Sequence, residues 1–163
     1  MKPLASTHST TVRRMVKAGR PRVFDAFATA DVLEQWFTPD AGISLDVIDF
    51  DFVPGGTFRL RFTMPDGTRP VAGGQYLVID RPEQIAFSWM WEAPDIHAGI
   101  ETRVCVQFIE HGDQTEIVIT HDLLPSREAC DRHALGWQGT LGRLGDAFDN
   151  GVSTTPDQRA LHA

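Results

Sequence analysis

The tightest constraint in this chain lies near its end. Between Ser126 and Gly151 the apolar residues fall at Cys130, Ala134, Trp137, Leu141, Leu144 and Phe148, in steps of four and three. That spacing is one continuous stripe at helical period. Pro125 breaks the chain ahead of it, and the Ser126 hydroxyl can accept from an orphan amide of the first turn. Asn150-Gly151 supplies the matching stop. A stripe this long must lie on a large apolar surface, and the chain from Thr10 to Asp122 reads as the sheet that receives it.

The upstream pattern supports this. Thr10 to Ala18 alternates, with Val12, Arg14 and Val16 on one face and Met15 on the other, so it reads as a strand. Arg14 is then a candidate cation on the inner face, unless the parity is reversed and Met15 points inward. Pro21 suits the first turn of a short helix, and Leu33, Trp36 and Phe37 give a second one over Asp31 to Phe37. From Ile43 the period becomes two. Strands are predicted over Ile43–Val53, Thr57–Met64, Val71–Asp80, Gln84–Glu92, Glu101–Glu110 and Thr115–Asp122, closed by turns such as Pro65-Asp66-Gly67 and His111-Gly112-Asp113. Short turns imply antiparallel neighbours. The fold class is therefore α+β: a curved antiparallel sheet of about six to seven strands wrapped on one long C-terminal helix, with two short helices after the first strand.

At 163 residues the pattern fits one domain over residues 10–151, with polar tails at 1–9 and 152–163. The net charge is −7 with Lys and Arg scattered, which excludes a basic face for nucleic acid or anionic lipid. No window approaches the ~20 apolar residues of a membrane span. The first ten residues hold one Lys and no apolar run, unlike a signal peptide. Cys105 and Cys130 lack CxxC or zinc-type spacing and read as reduced thiols, so a cytoplasmic protein is expected. Strand Val71–Asp80 is apolar on both faces, Leu77 and Ile79 against Tyr76 and Val78. Either the short helices cover its outer face or a second copy does, making a homodimer.

Four stretches in order resemble a known family: PRVFDAFATADVLEQWF from Pro21, DFDFVPGGTFRLRF from Asp49, GGQYLVIDRPEQIAFSW from Gly73, and the Gly136-Trp137 pair. Together they resemble the heat-shock-protein-90 ATPase activator-like (AHSA-type) domain of the START-like superfamily, also called SRPBCC or Bet v-like. The match runs from about Thr10 to Phe148. Where that family often carries Arg before the Pro-Gly-Gly turn, this chain has Val53. The resemblance implies the helix-grip fold and a cavity between the long helix and the concave sheet face, suited to a small apolar or aromatic molecule. It leaves function open among carriers, sensors and cyclases.

No catalytic motif stands out. The Gly55-Gly56 and Gly73-Gly74 pairs sit at strand boundaries rather than in a phosphate loop, and no histidine pair has metal-ligand spacing. Asp46, Asp49 and Asp51 fit a solvated edge strand better than a cation site. Neither cofactor nor metal is expected. Candidate ligand-binding residues are Phe62, Phe87, Trp89, Trp91, Ile119, His121, His133, Trp137, Thr140 and Leu141. The aromatic members are core first and cavity wall second. His121 shares a face with Ile117 and Ile119 and reads as a satisfied core histidine, with a pocket polar group or a general base as the alternatives. His133, about 40° from Trp137 on the helical wheel, and Thr140 sit at the rim of the stripe.

Gly136, Gly139, Gly142 and Gly145 are unusual in one helix, because each costs ~1 kcal/mol relative to Ala. Close backbone approach, a partner subunit or a hinge would each explain them. The expected function is binding or sensing of a small hydrophobic molecule, with a polyketide cyclase or aromatase-like enzyme as the alternative. A chaperone ATPase-activating role ranks third, because the activator named for it carries an additional domain.

Overall fold

A computed structural model describes residues 7–150. The Gly151 half of the expected helix stop, and the tails beyond these limits, lie outside the described residues. In order come β1 (His8–Val16), α1 (Arg20–Asp25), α2 (Ala30–Trp36), β2 (Ser44–Phe50), β3 (Thr57–Thr63), β4 (Val71–Asp80), β5 (Gln84–Trp91), β6 (Thr102–His111), β7 (Gln114–Leu124) and α3 (Arg127–Asp149). The seven strands form one antiparallel sheet in the order β1-β7-β6-β5-β4-β3-β2. β1 begins two residues earlier than the pattern suggests, because His8 already pairs with Leu124.

The period-two faces are the inner face of this sheet. Phe58, Leu60 and Phe62 on β3, Ile85, Phe87 and Trp89 on β5, Val104, Val106 and Phe108 on β6, and Ile117 and Ile119 on β7 are all buried. On β1 the parity places Val12 and Val16 inside, while Met15 is exposed. At β4 a bulge between Tyr76 and Val78 shifts the register, so Tyr76 and Ile79 pair with inward-facing Phe87 and Ile85. Leu77 and Val78 are left 41% and 38% exposed, so the short helices do not cover that outer face. They pack on the inner side instead, where Phe24 of α1 meets Phe108 of β6 at 5.3 Å between ring centroids. Trp36 joins the two helices: its Nε1–H donates to Ala26 O at 3.0 Å, and its ring lies 4.8 Å from that of Phe27.

α3 starts where Ser126 caps it, the side chain accepting from Ala129 N at 3.1 Å. Its buried residues are Ala129, His133, Trp137, Thr140, Leu141, Leu144, Gly145 and Phe148. The stripe is therefore correct from Trp137 onward but displaced by one residue in the first two turns. Ala129 and His133 face inward where Cys130 and Ala134 were expected, because the inward His133 ring accepts a hydrogen bond from Trp91 Nε1 of β5.

The helix packs chiefly on β1, with β7 and α2 beside it. Its glycines serve different neighbours. A Cβ on Gly139 would run into the backbone carbonyl of Pro39, so the α2–β2 loop approaches there as no other residue would allow. On Gly145 a Cβ would lie 3.3 Å from Arg14 Nη2, and on Gly142 3.8 Å from Arg14 Nη1, so these two seat the arginine. Among the described residues, nothing lies within 4 Å of that position on Gly136.

This difference is testable by urea denaturation. Gly139→Ala is expected to destabilise by about 1–3 kcal/mol through overpacking against backbone. Gly136→Ala should stabilise by up to ~1 kcal/mol through helix propensity. Midpoints moving in the same direction would refute the close approach at Pro39.

Candidate functional site

Because α3 lies over β1 and β7, its N-terminal half leaves β3 and β5 uncovered, and a cavity of about 560 Å³ opens there. Its sheet wall is Phe62 of β3 with Trp89 and Trp91 of β5; Met64 and Pro70 flank it. The α2–β2 loop contributes Phe37, Pro39, Asp40 and Ile43, and α3 contributes residues from Arg132 to Thr140. The indoles meet at steep angles: Trp89 and Trp91 at 5.6 Å and 88°, Trp89 and Trp137 at 5.6 Å and 59°.

Six of the ten expected site residues line this cavity: Phe62, Trp89, Trp91, His133, Trp137 and Thr140. Phe87 instead lines a separate void of about 20 Å³ deeper in the aromatic core, which shares Phe37 and Trp89 with the cavity. Ile119, His121 and Leu141 line neither and are packed inside, each at most 1% exposed. Arg14 also stays out of the cavity, its guanidinium against Gly145 on the far half of α3. Missed by the sequence reading were Arg132, Leu135, Gly139 and the Phe37–Ile43 loop. Leu135 carried a signal, since it is a leucine off the stripe and is 71% exposed.

Both histidines are held in single neutral tautomers. An indole N–H can only donate. Trp137 Nε1 donates to His121 Nδ1 at 3.0 Å, so Nδ1 is unprotonated and the ring proton sits on Nε2. That Nε2–H donates to Thr102 Oγ1 at 2.7 Å, and the Thr102 hydroxyl donates in turn to Trp89 O at 2.8 Å. His133 is the opposite tautomer. Its Nε2 accepts from Trp91 Nε1 at 3.0 Å, and its Nδ1–H donates to Ala129 O at 2.7 Å. The two rings stack edge to face, 4.7 Å apart. Burial, aided by the neighbouring His133, pushes His121 down to about 3. Burial also lowers His133, with the charge of Arg132 adding to it against the Ala129 hydrogen bond. Neither ring has a free nitrogen for proton transfer. Trp89 Nε1 is buried with no partner among the described residues.

Arg132 closes one end. Its two terminal nitrogens donate to Asp95 at 2.9 and 2.7 Å, Nη1 also meets His97 Nδ1 at 2.7 Å, and the guanidinium lies 4.8 Å from the Trp91 ring centroid. Burial alone would raise the Asp95 carboxyl, but the Arg132 hydrogen bonds and the His97 backbone N–H hold it below its usual value. Outside the cavity lining, Arg143 donates to Thr38 Oγ1 and to Gln35 O, fixing the end of α2 and the loop after it to α3. The acidic residues of β2 are engaged elsewhere: Asp46 with Arg61 and Arg69, Asp49 with Arg59.

Comparison with known proteins agrees with this architecture. The profile of the family described as "Activator of Hsp90 ATPase homolog 1-like protein" matches residues 17–149. Among solved structures, the AHSA1 protein of Silicibacter pomeroyi is similar at 23% identity, covering 87% of this chain and 98% of that one, with a TM-score of 0.78. Protein CV1439 of Chromobacterium violaceum is similar at 22% identity, covering 85% and 94%, with a TM-score of 0.76. DynU16, described as a putative protein in the dynemicin biosynthetic locus, matches at 20% identity over 91% of this chain and 50% of its own, with a TM-score of 0.70. No curated protein matches the sequence significantly.

The two histidines make stability depend on pH. Each is less basic folded than unfolded, so the unfolded chain binds more protons on acidification. Their contribution is complete above the unfolded value of about 6.5 and is lost as pH falls toward the folded value of about 3 for His121. Urea midpoints should fall from pH 7 to pH 4, each titrating histidine adding a slope of up to about 1.4 kcal/mol per pH unit. In His121→Gln that slope should shrink; a slope equal to the native protein's would reject the assignment.

Proposed function

Because this chain belongs to the Activator of Hsp90 ATPase homolog 1-like family and has its helix-grip fold, we propose that it binds a small apolar or aromatic molecule as a carrier or sensor. The observation that carries this reading is the open cavity of about 560 Å³ walled by Phe37, Phe62, Trp89, Trp91 and Trp137. Its volume lies within the range of small-molecule sites, and an apolar wall with a few polar groups is their usual composition. Among the described residues no helix is long and apolar enough to cross a membrane. Cys105 and Cys130 stand unpaired, which suits the reducing cytoplasm in which we place it.

The rival reading, a cyclase-like enzyme, assigned proton transfer to His121. Both nitrogens of that ring are committed, one of them to the wall residue Trp137, and the ring itself does not line the cavity. The geometry therefore favours binding over chemistry at this position.

Native mass spectrometry of the purified protein, followed by thermal-shift screening of lipids and aromatic compounds, tests the proposal. A retained molecule or a shift in Tm is expected. Gly136→Phe, which projects a ring into the cavity from a position with open space around it, should weaken binding by about tenfold or more while the protein stays folded. An empty preparation with no shift across the panel, or full affinity in the Gly136→Phe protein, would overturn the cavity as the binding site.

A further inference from the structure

The charge on the cavity wall is unbalanced, and its consequence for ligand choice rests on the binding function proposed for that cavity. Among the described residues two formally charged side chains line the cavity, Asp40 and Arg132. Arg132 is already matched by Asp95, whose two carboxylate oxygens accept its Nη1 and Nη2 at 2.9 and 2.7 Å. Asp40 is not matched. Its Oδ1 accepts the backbone N–H of Gly42 at 2.7 Å, and among the described residues it joins no ion pair. His133, held as the neutral Nδ1–H tautomer, adds no positive charge. The cavity lining thus includes one solvent-exposed carboxylate, Asp40, without an ion-pair partner among the described residues, together with three indoles.

An indole face is the side-chain surface that best attracts a cation. The guanidinium of Arg132, 4.8 Å from the Trp91 ring centroid, is an instance within this same wall. The N–H edges of Trp91 and Trp137 are spent on His133 and His121, so these rings leave a ligand aromatic surface rather than donors. Trp89 Nε1 is unpartnered but buried, and gives an entering anion no exposed donor. An anionic ligand would find the one cation of the wall held by Asp95 and would face Asp40 besides.

We propose that the cavity selects cationic aromatic molecules: an aryl ring carrying an amine or quaternary ammonium group, the ring against Trp89 and Trp137 and the ammonium toward Asp40. The charge, and not size alone, then sets specificity, because neutral and anionic rings of equal shape lose the attraction of the carboxylate.

Calorimetric titration with three naphthalene probes of matched size tests this at neutral pH and low ionic strength, where screening is least. The probes are naphthylmethylammonium, naphthylmethanol and naphthoate. The ammonium is expected to bind about tenfold more tightly than the carboxylate. Asp40→Asn keeps the oxygen that accepts from Gly42 and should shrink that ratio by about threefold or more. A carboxylate that binds as tightly as the ammonium, or a ratio unchanged in Asp40→Asn, overturns the proposal. The neutral alcohol separates the two readings. If it binds while the charge order fails, the cavity remains a binding site and only its preference for cations falls; if none of the three binds at millimolar concentration, both readings fall.

Discussion

Two indole–histidine hydrogen bonds hold the structure in register. A neutral imidazole has one lone pair and one N–H. In both histidines the lone pair receives a tryptophan N–H, from Trp137 for His121 and from Trp91 for His133. The ring proton then goes to the acceptor left on the other side, Thr102 Oγ1 or Ala129 O. Each pair joins α3 to the sheet, once from helix to β7 and once from β5 to helix. Slipping the helix by one residue would break both bonds and leave the buried Trp137 and His121 nitrogens without partners, at about 1–3 kcal/mol each. These bonds therefore fix the rotation of α3 as well as its position, and they fix the indoles that wall the cavity.

The cavity follows from where that helix can sit. Its C-terminal half closes on β1, where Gly142 and Gly145 admit the Arg14 side chain, and its middle meets the Pro39 carbonyl at Gly139. Arg143 ties the same loop to the helix. With these supports along its middle and C-terminal half, α3 reaches β5 in its N-terminal half through side chains such as His133 and Trp137 and leaves space between them. The aromatic residues there pack against one another, Phe62 on Trp91 at 5.9 Å and Phe37 on Trp137 at 5.7 Å, without filling the space. This open, indole-walled space is the one on which the proposed binding function rests.

A displacement of one residue shows how far pattern reading reaches. Hydropathy placed Cys130 and Ala134 on the stripe because both are apolar by type. The structure turns Ala129 and His133 inward instead, His133 Nε2 accepting from Trp91 Nε1 of β5, while Ala134 packs half-buried at the flank of the core. Polar residues with specific partners are invisible to a periodicity argument, which counts area alone. The same limit hid the flank of α3 that lines the cavity. Arg132 and Gly139 lie off the apolar stripe, and their role depends on Asp95, Trp91 and Pro39, all remote in sequence.

By itself the sequence determined the element order, the inner face of nearly every strand, the Ser126 cap and membership of the family, because alternation and capping are local properties written in neighbouring residues. It read His121 first as a satisfied core histidine but also placed it among the ligand-binding candidates, and the structure packs it behind the cavity wall. Only the tertiary structure decided which aromatic residues wall a cavity and which fill the core. Phe87 and Trp89 share a face of β5 two residues apart, yet only Trp89 reaches the open cavity. The difference lies in how far the helix stands off the sheet at each point. That distance is set by contacts between segments far apart in the chain, and no local pattern encodes it.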